Sequence, residues 1–220
     1  MKDSAMKLYV YDHCPFCVRS RMIFGLKEVA CEIITLPNDD EETPARLIGK
    51  KMLPVLVTES NEAMGESLDI VKYIDETYGS SVLKMSDNPE IETWMEEATK
   101  LIYPLAIPRW ANSDFEEFRQ DAARQYFVNK KEAVFGPFQR LLEQTEIMVN
   151  EMNVQLEILE GLFAQQERDS EYFSLTDIRL FPLLRSLSIV KGIHWPPQID
   201  AWRREMALGT RVNLNDDIAT

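Results

Sequence analysis

Cysteine is scarce in this chain, three residues in 220, which excludes the small secreted scaffolds that depend on many disulfides. A chain of this length with 45% hydrophobic residues can build its core without staples. Also missing is any run approaching the roughly 20 apolar residues that span a bilayer. No charged start leads into an apolar stretch of signal-peptide length. The expectation is a soluble protein of a reducing compartment, the cytoplasm, with no membrane partner. Positive charge is in deficit: 24 Lys and Arg face 37 Asp and Glu, giving a net charge of -13 and a pI near 4.7. The basic residues are scattered rather than striped, so nucleic acid is not an expected partner. Internal repeats and low-complexity tracts are absent.

What is present falls into two patterns. Residues 6–78 alternate strand-like and helix-like segments. "KLYVY" suits a strand, "PFCVRSRMIFGLKEV" places Val18, Met22, Leu26 and Val29 at helical spacing, and "CEIITL" returns to strand character. That order predicts a β-α-β unit. A short helix in "EETPARLIG" closes at Gly49, "PVLVT" and "EAM" around "ESN" read as a hairpin, and "ESLDIVKYIDETYG" sets Ile70, Ile74 and Tyr78 on one helical face ending at Gly79. The opening "MKDSA" carries no structural signal and is left outside the fold.

Residues 79–88 are linker-like, and from 89 to 220 strand patterns disappear. Ile91, Trp94, Met95, Ala98, Leu101 and Ile102 share one helical face, with Pro104 and Pro108 expected to bend or end that helix. After Gly136-Pro137, Phe138, Leu142, Thr145, Val149, Met152, Leu156, Leu159 and Phe163 recur in steps of four and three. The stretch is too short and too polar at Thr145 for a coiled-coil seam, and it reads as a core helix of an all-α bundle. Ser174 with Asp177 three residues on resembles a capping box ahead of an apolar inner helix.

Cys14 and Cys17, in "HCPFC", lie where the first strand gives way to the first helix. A structural zinc site needs four ligands, usually with a second pair at matching spacing. The other candidates, Cys31, His13 and His194, form no such half, so no metal is expected. A permanent disulfide would close a tiny loop and constrain little of the unfolded chain. The redox reading fits better. Pro15 suits the first position of a helix, placing Cys14 at its entrance and Cys17 one turn inside. Free backbone N–H groups and the helix dipole there favour a thiolate at Cys14, with Arg19 and Arg21 as nearby positive charge. Cys17 is placed to resolve a mixed disulfide formed at Cys14. Cys31 is expected to be a buried small hydrophobe, with a regulatory thiol as the alternative.

Two further segments suit a small peptide ligand. In "KKMLPVLV" the residue before Pro54, Leu53, is extended and can pair with an incoming backbone. The sequence leaves open whether the Leu53-Pro54 bond is cis or Pro54 merely begins an edge strand. In "MGESLDI", Ser67 and the helix-start donors form an anion site and Glu66 can receive an ammonium group, against the plainer reading of a helix cap. Such backbone donors would also let an acidic protein hold an anionic ligand.

Taken together, "MKLYVYDHCPFCVRSRMIFGLK", "NDDEETPARLIGKKMLPVL", "ESLDIVKYID", "KKEAVFGPF" and "LFPLLRSLSIVKGIHWP" resemble the bacterial glutaredoxin 2 family, glutaredoxins built like a glutathione S-transferase. The resemblance extends from Met6 essentially to the C-terminus, including the helical half where no catalytic motif forces similarity. It implies an α/β thioredoxin-like N-terminal domain followed by an all-α transferase-like C-terminal domain. It also implies glutathione-dependent reduction of disulfides and of protein-glutathione mixed disulfides, with glutathione as co-substrate and a monomer as the expected state. By motif position, Cys14 would carry the glutathionyl group and Cys17 would complete dithiol turnover. Pro54 would be the cis-proline beside the site, Leu53 would bind the cysteinyl backbone, and Glu66 with Ser67 would hold the γ-glutamyl end. Lys51 is a weak candidate for the glycyl carboxylate. Phe16 departs from the tyrosine common in such motifs, removing a hydroxyl but no thiol chemistry. The alternatives are a glutathione transferase acting on electrophiles, a non-enzymatic thioredoxin-fold binding module or membrane-associating relative, and a chain-bridging iron-sulfur cluster. The transferase would call for a hydroxyl donor at the thiol position, and the binding module would leave the thiol pair idle. For the cluster the sequence offers no positive sign.

Overall fold

A computed structural model of the chain describes residues 5–84, 86–165 and 172–220; of the opening "MKDSA", residues 1–4 lie outside this range. The chain forms two compact units. The first contains β1 (Lys7–Val10), α1 (Pro15–Leu26), β2 (Glu32–Thr35), α2 (Glu42–Ile48), β3 (Val55–Val57), β4 (Ala63–Met64) and α3 (Ser67–Thr77). Its sheet runs β2-β1-β3-β4, with β1 and β2 parallel and β1–β3 and β3–β4 antiparallel. The helix α1 provides the crossover that a parallel pair requires.

The alternation in β1 turns Leu8 and Val10 inward, where they are 0% and 1% exposed. They belong to a core with Met22 and Ile23 of α1 and Ile70, Val71 and Ile74 of α3, all fully buried, each stabilising the unit by about 1.5–3 kcal/mol. Gly49 closes α2 in the left-handed conformation, φ 78°, as its position in the sequence predicts. α3 stops at Thr77, two residues short of Gly79. The Lys27 ammonium bonds the Asp75 carbonyl at 3.0 Å, joining the end of α1 to α3.

The first unit also takes in two stretches that chain order alone assigns to the helical half, 114–127 and 210–212. The 3₁₀ turn Glu116–Phe118 is buried at Glu117 and Phe118, whose rings and carboxylate satisfy partners in the first 82 residues. At 210–212 the reason is steric. A Cβ at Gly25 would lie 1.9 Å from the Thr210 carbonyl oxygen, so only glycine admits that backbone.

The second unit comprises β5 (Leu83–Lys84), α4 (Pro89–Ala111), the part of α5 (Asp121–Phe135) beyond residue 127, α6 (Phe138–Glu143), α7 (Thr145–Ala164), β6 (Phe173–Ser174), α8 (Leu175–Leu187) and α9 (Pro197–Thr210) to residue 209. Here α4 packs on α7 and α8. The 79–88 stretch is more than a tether, because β5 pairs in parallel with β6. The predicted capping box is present, Ser174 and Asp177 exchanging hydrogen bonds at 3.0 and 2.8 Å. α8 behind it is buried along nearly its whole length.

Two expectations change. α4 does not end at Pro104 or Pro108 but continues past both to Ala111. Each costs a helix about 3 kcal/mol, but buried Ile102, Leu105, Ile107 and Trp110 around them return more than that. The stretch after Gly136-Pro137 is two helices broken at Gln144, φ -89°, ψ 2°. The break resets the helical phase, so Leu141 rather than Leu142 is buried before it. Beyond it Val149, Met152, Leu156, Leu159 and Phe163 are buried as their spacing predicts.

Candidate active site

Sheet register collects the three sequence signals at one end of the first unit. Tyr9 of β1 lies opposite Val55 of antiparallel β3, so the end of β1, which leads to Cys14, adjoins the start of β3, which follows Leu53 and Pro54. Met64 of β4 lies opposite Leu56, so β4 runs towards the same end and delivers Glu66 and Ser67. The Ser20 hydroxyl, one turn beyond Cys17, donates to the Ser67 carbonyl at 3.4 Å, tying the starts of α1 and α3 together.

Cys14 is the N-cap of α1, with extended backbone (φ -71°, ψ 120°) and Pro15 at the first helical position. As a residue Cys14 is partly exposed, whereas Cys17 is fully buried, and both are free thiols. The Cys14 thiol is brought down to about 6, first by a hydrogen bond from Cys17, then by the His13 charge and the backbone N–H groups of Cys17 and Phe16, all against the effect of burial. The sequence reading credits the helix start with this acidity. Those amides contribute, but the Cys17 thiol contributes most. Burial pushes Cys17 well up, reinforced by its bond to Cys14 and by the charges of Cys14 and Glu117. The Tyr11 N–H donates to its sulfur at 3.4 Å. One turn of helix therefore holds a thiolate at its mouth and a protonated thiol beneath. The two arginines are engaged elsewhere, Arg21 with Asp12 and Arg19 4.6 Å from the centre of the Phe16 ring.

Leu53 is buried and the Leu53-Pro54 bond is cis, the outcome the family resemblance implies. Glu66 caps α3 in the left-handed region, φ 60°, a conformation that costs a non-glycine residue about 1–3 kcal/mol and tends to persist at ligand sites. Its carboxylate meets Lys50 at 3.2 Å beside an open pocket of about 400 Å³ lined by Ile48, Met52, Met64 and Gly65. Ser67 is the first residue of α3 and is buried. The weak candidate Lys51 donates to the Asn38 carbonyl at 2.7 Å and stands 3.8 Å from the Tyr126 ring centre.

Cys31 is half-buried, a correction to the expected burial, and lies just before β2 rather than in it. Burial lifts its thiol to about 12, which makes it inert as a nucleophile. Among the described residues no group of three or more His, Cys, Asp and Glu is placed to hold a metal ion, and no helix is long and apolar enough to cross a membrane. Sequence reasoning missed Glu117, whose Oε1 accepts from the His13 ring at 2.7 Å and from its backbone N–H at 3.0 Å. No motif announces a pair 104 residues apart, and His13 had been weighed only as a metal ligand.

A cysteine at the mouth of the first helix, a buried second thiol one turn deeper and a cis-proline ahead of the neighbouring strand are the site of a thioredoxin-fold thiol-disulfide oxidoreductase. Here that fold carries a second, helical unit. The family model described as glutathione S-transferase, N-terminal domain, matches residues 8–82, and that described as glutaredoxin 2, C terminal domain, matches 90–219. The chain is 42% identical to glutaredoxin 2 of Escherichia coli K12 over 214 residues, 97% of this chain and 100% of that protein. It belongs to the glutaredoxin 2 family. The crystal structure of glutaredoxin 2 from Salmonella typhimurium in complex with glutathione matches with a TM-score of 0.94 at 45% identity, covering 99% of this chain and 100% of that one. A Tau class glutathione S-transferase from mango matches at a TM-score of 0.60 and 18% identity, over 99% of this chain and 96% of that one, a likeness of fold alone.

Proposed function

We propose that this chain is a glutathione-dependent dithiol-disulfide oxidoreductase, with Cys14 as nucleophile and Cys17 as resolving thiol. The observation that carries the reading is the placing of Cys14 at the N-cap of α1 with Cys17 buried one turn beneath it, an arrangement that lowers the first thiol and raises the second. At neutral pH the Cys14 thiolate attacks the glutathionyl sulfur of a protein-glutathione mixed disulfide, and the protein thiolate leaves. The Cys14-glutathione disulfide has two exits. A second glutathione thiolate attacks the bound glutathionyl sulfur, giving oxidised glutathione and regenerating Cys14. Alternatively Cys17 loses its proton and attacks the Cys14 sulfur, releasing glutathione and leaving a Cys14-Cys17 disulfide that two glutathiones then reduce. The weak acidity of Cys17 keeps it protonated, and donating to Cys14, until that mixed disulfide forms.

Glutathione is held as an added strand by the Leu53 backbone beside Pro54, with its γ-glutamyl ammonium on Glu66 and its carboxylate on the donors at the start of α3 with Ser67. The glutathione complex of the Salmonella relative supports glutathione as the ligand. Disulfide-containing and glutathionylated proteins are the substrates, the protein acts as a monomer, and the cytoplasm is its compartment. The transferase alternative shares the fold, but it requires a hydroxyl that activates a separate thiol, whereas Cys14 occupies the helix mouth.

Mass spectrometry after exposure to oxidised glutathione tests the assignment. A single glutathione adduct on Cys14 is expected in Cys17→Ser, and an adduct on Cys31 instead would refute it. Parallel assays with a glutathionylated disulfide and a chloroaromatic electrophile separate the two enzyme classes, since turnover of the electrophile alone would favour the transferase. Sedimentation would expose a dimer.

A further inference from the structure

His13, adjacent to the nucleophile in sequence, is 6% exposed and fixed on several sides. Its ring stacks on Tyr11 and Phe118, with centroids 5.8 and 5.2 Å apart, and meets the edge of Phe127 at 5.1 Å. One carboxylate oxygen of Glu117 takes both the Nδ1–H of that ring and the His13 backbone N–H. Glu117 is 0% exposed, and its second oxygen, Oε2, is buried without a hydrogen-bond partner. An orphaned oxygen on a fully buried carboxylate is costly and calls for a reason. Packing alone supplies none, because an apolar side chain would fill the space without that penalty.

We infer that Glu117 is a positioning residue for the reaction at Cys14: its buried carboxylate holds the His13 ring in place beside the nucleophile and fixes the backbone that enters the thiol helix. The inference rests on the reading of Cys14 as the reactive thiol. A carboxylate can only accept, so its contact with Nδ1 requires a proton on that nitrogen, and the two hydrogen bonds from His13 satisfy one oxygen of the buried acid. Burial works to raise the Glu117 carboxyl, yet the hydrogen bonds and charge of His13 hold it below the usual range. The same pair separates the two thiols. The His13 charge favours ionisation of Cys14, while the Glu117 charge opposes ionisation of Cys17. Among the described residues, the titratable and charged groups around this pair include Tyr11, with Asp40 and Tyr126 facing it, and Arg124 against the Phe118 ring. Glu117 therefore helps decide which sulfur ionises first, from a turn distant in sequence.

Glu117→Gln in the full chain is the test, because glutamine keeps the shape and an accepting oxygen but removes the charge. Thiolate absorbance and alkylation rate against pH would report Cys14 directly, without any substrate. The His13 charge that favours the Cys14 thiolate loses its anionic partner, which outweighs the direct relief of removing the Glu117 anion and predicts a rise of up to about one unit in the Cys14 midpoint, and so an up to about tenfold slower alkylation below pH 6. His13→Gln should give a similar rise and the double variant little more. A Cys14 midpoint that stays at the wild-type value in Glu117→Gln, or two rises that simply add, would overturn the inference. Should the variant not fold, the ring nitrogen shifts of His13 in the wild-type protein decide the matter: a hydrogen-bonded proton on Nδ1 is the expected result, and an Nδ1 without one refutes it. Loss of glutathione-dependent turnover in the wild type would instead count against the enzymatic reading, leaving these titrations unaffected.

Discussion

Replacing Cys17 with alanine removes the largest contributor to the acidity of Cys14, the thiol that donates to its sulfur. A hydrogen bond to a charged group contributes about 1.5–3 kcal/mol, and one pKa unit corresponds to about 1.4 kcal/mol. The Cys14 midpoint should therefore climb from about 6 by about one to two units. Because the folded value lies below the ordinary thiol value, the thiolate is present above about 6 and lost as pH falls through it. At pH 7 the thiolate fraction should drop from about nine-tenths to between about a half and a tenth. The assay is thiolate absorbance against pH in a Cys31→Ser background, paired with iodoacetamide rates, so that Cys14 alone reports in the Cys17→Ala variant. Cys17→Ser, which retains a hydroxyl donor, should climb less. A midpoint that stays near 6 in Cys17→Ala would refute the reasoning and transfer the effect to His13 and the helix-start amides.

Cys14→Ser should abolish turnover of every disulfide substrate, while Cys17→Ser keeps activity on glutathionylated substrates and loses dithiol exchange. Equal loss in both would mean the roles are wrongly divided. Gly25→Ala forces a Cβ to within 1.9 Å of the Thr210 carbonyl oxygen, and denaturant titration should show a loss of about 1–3 kcal/mol or more; increased stability would contradict that close approach. Asp177→Ala removes its half of the capping box on α8 and should cost about 1 kcal/mol in the same titration, without changing Cys14 alkylation.

What the amino-acid sequence determined by itself was local. The β-α-β order, the hairpin, the closure of α2 at Gly49, the Ser174–Asp177 box and the position of Cys14 ahead of Pro15 all depend on residues within a turn or two of one another. Period, capping and turn chemistry act over that range. Tertiary structure decided what requires the rest of the chain. Burial on α4 outweighed two prolines, the break at Gln144 reset the phase of the next helix, and 114–127 and 210–212 joined the first unit. It also placed the Glu117 carboxylate on His13 across 104 residues. Sequence shows that a charged residue is present but neither that it is buried nor what its partner is, because both are decided by the packing that excludes water from the pair.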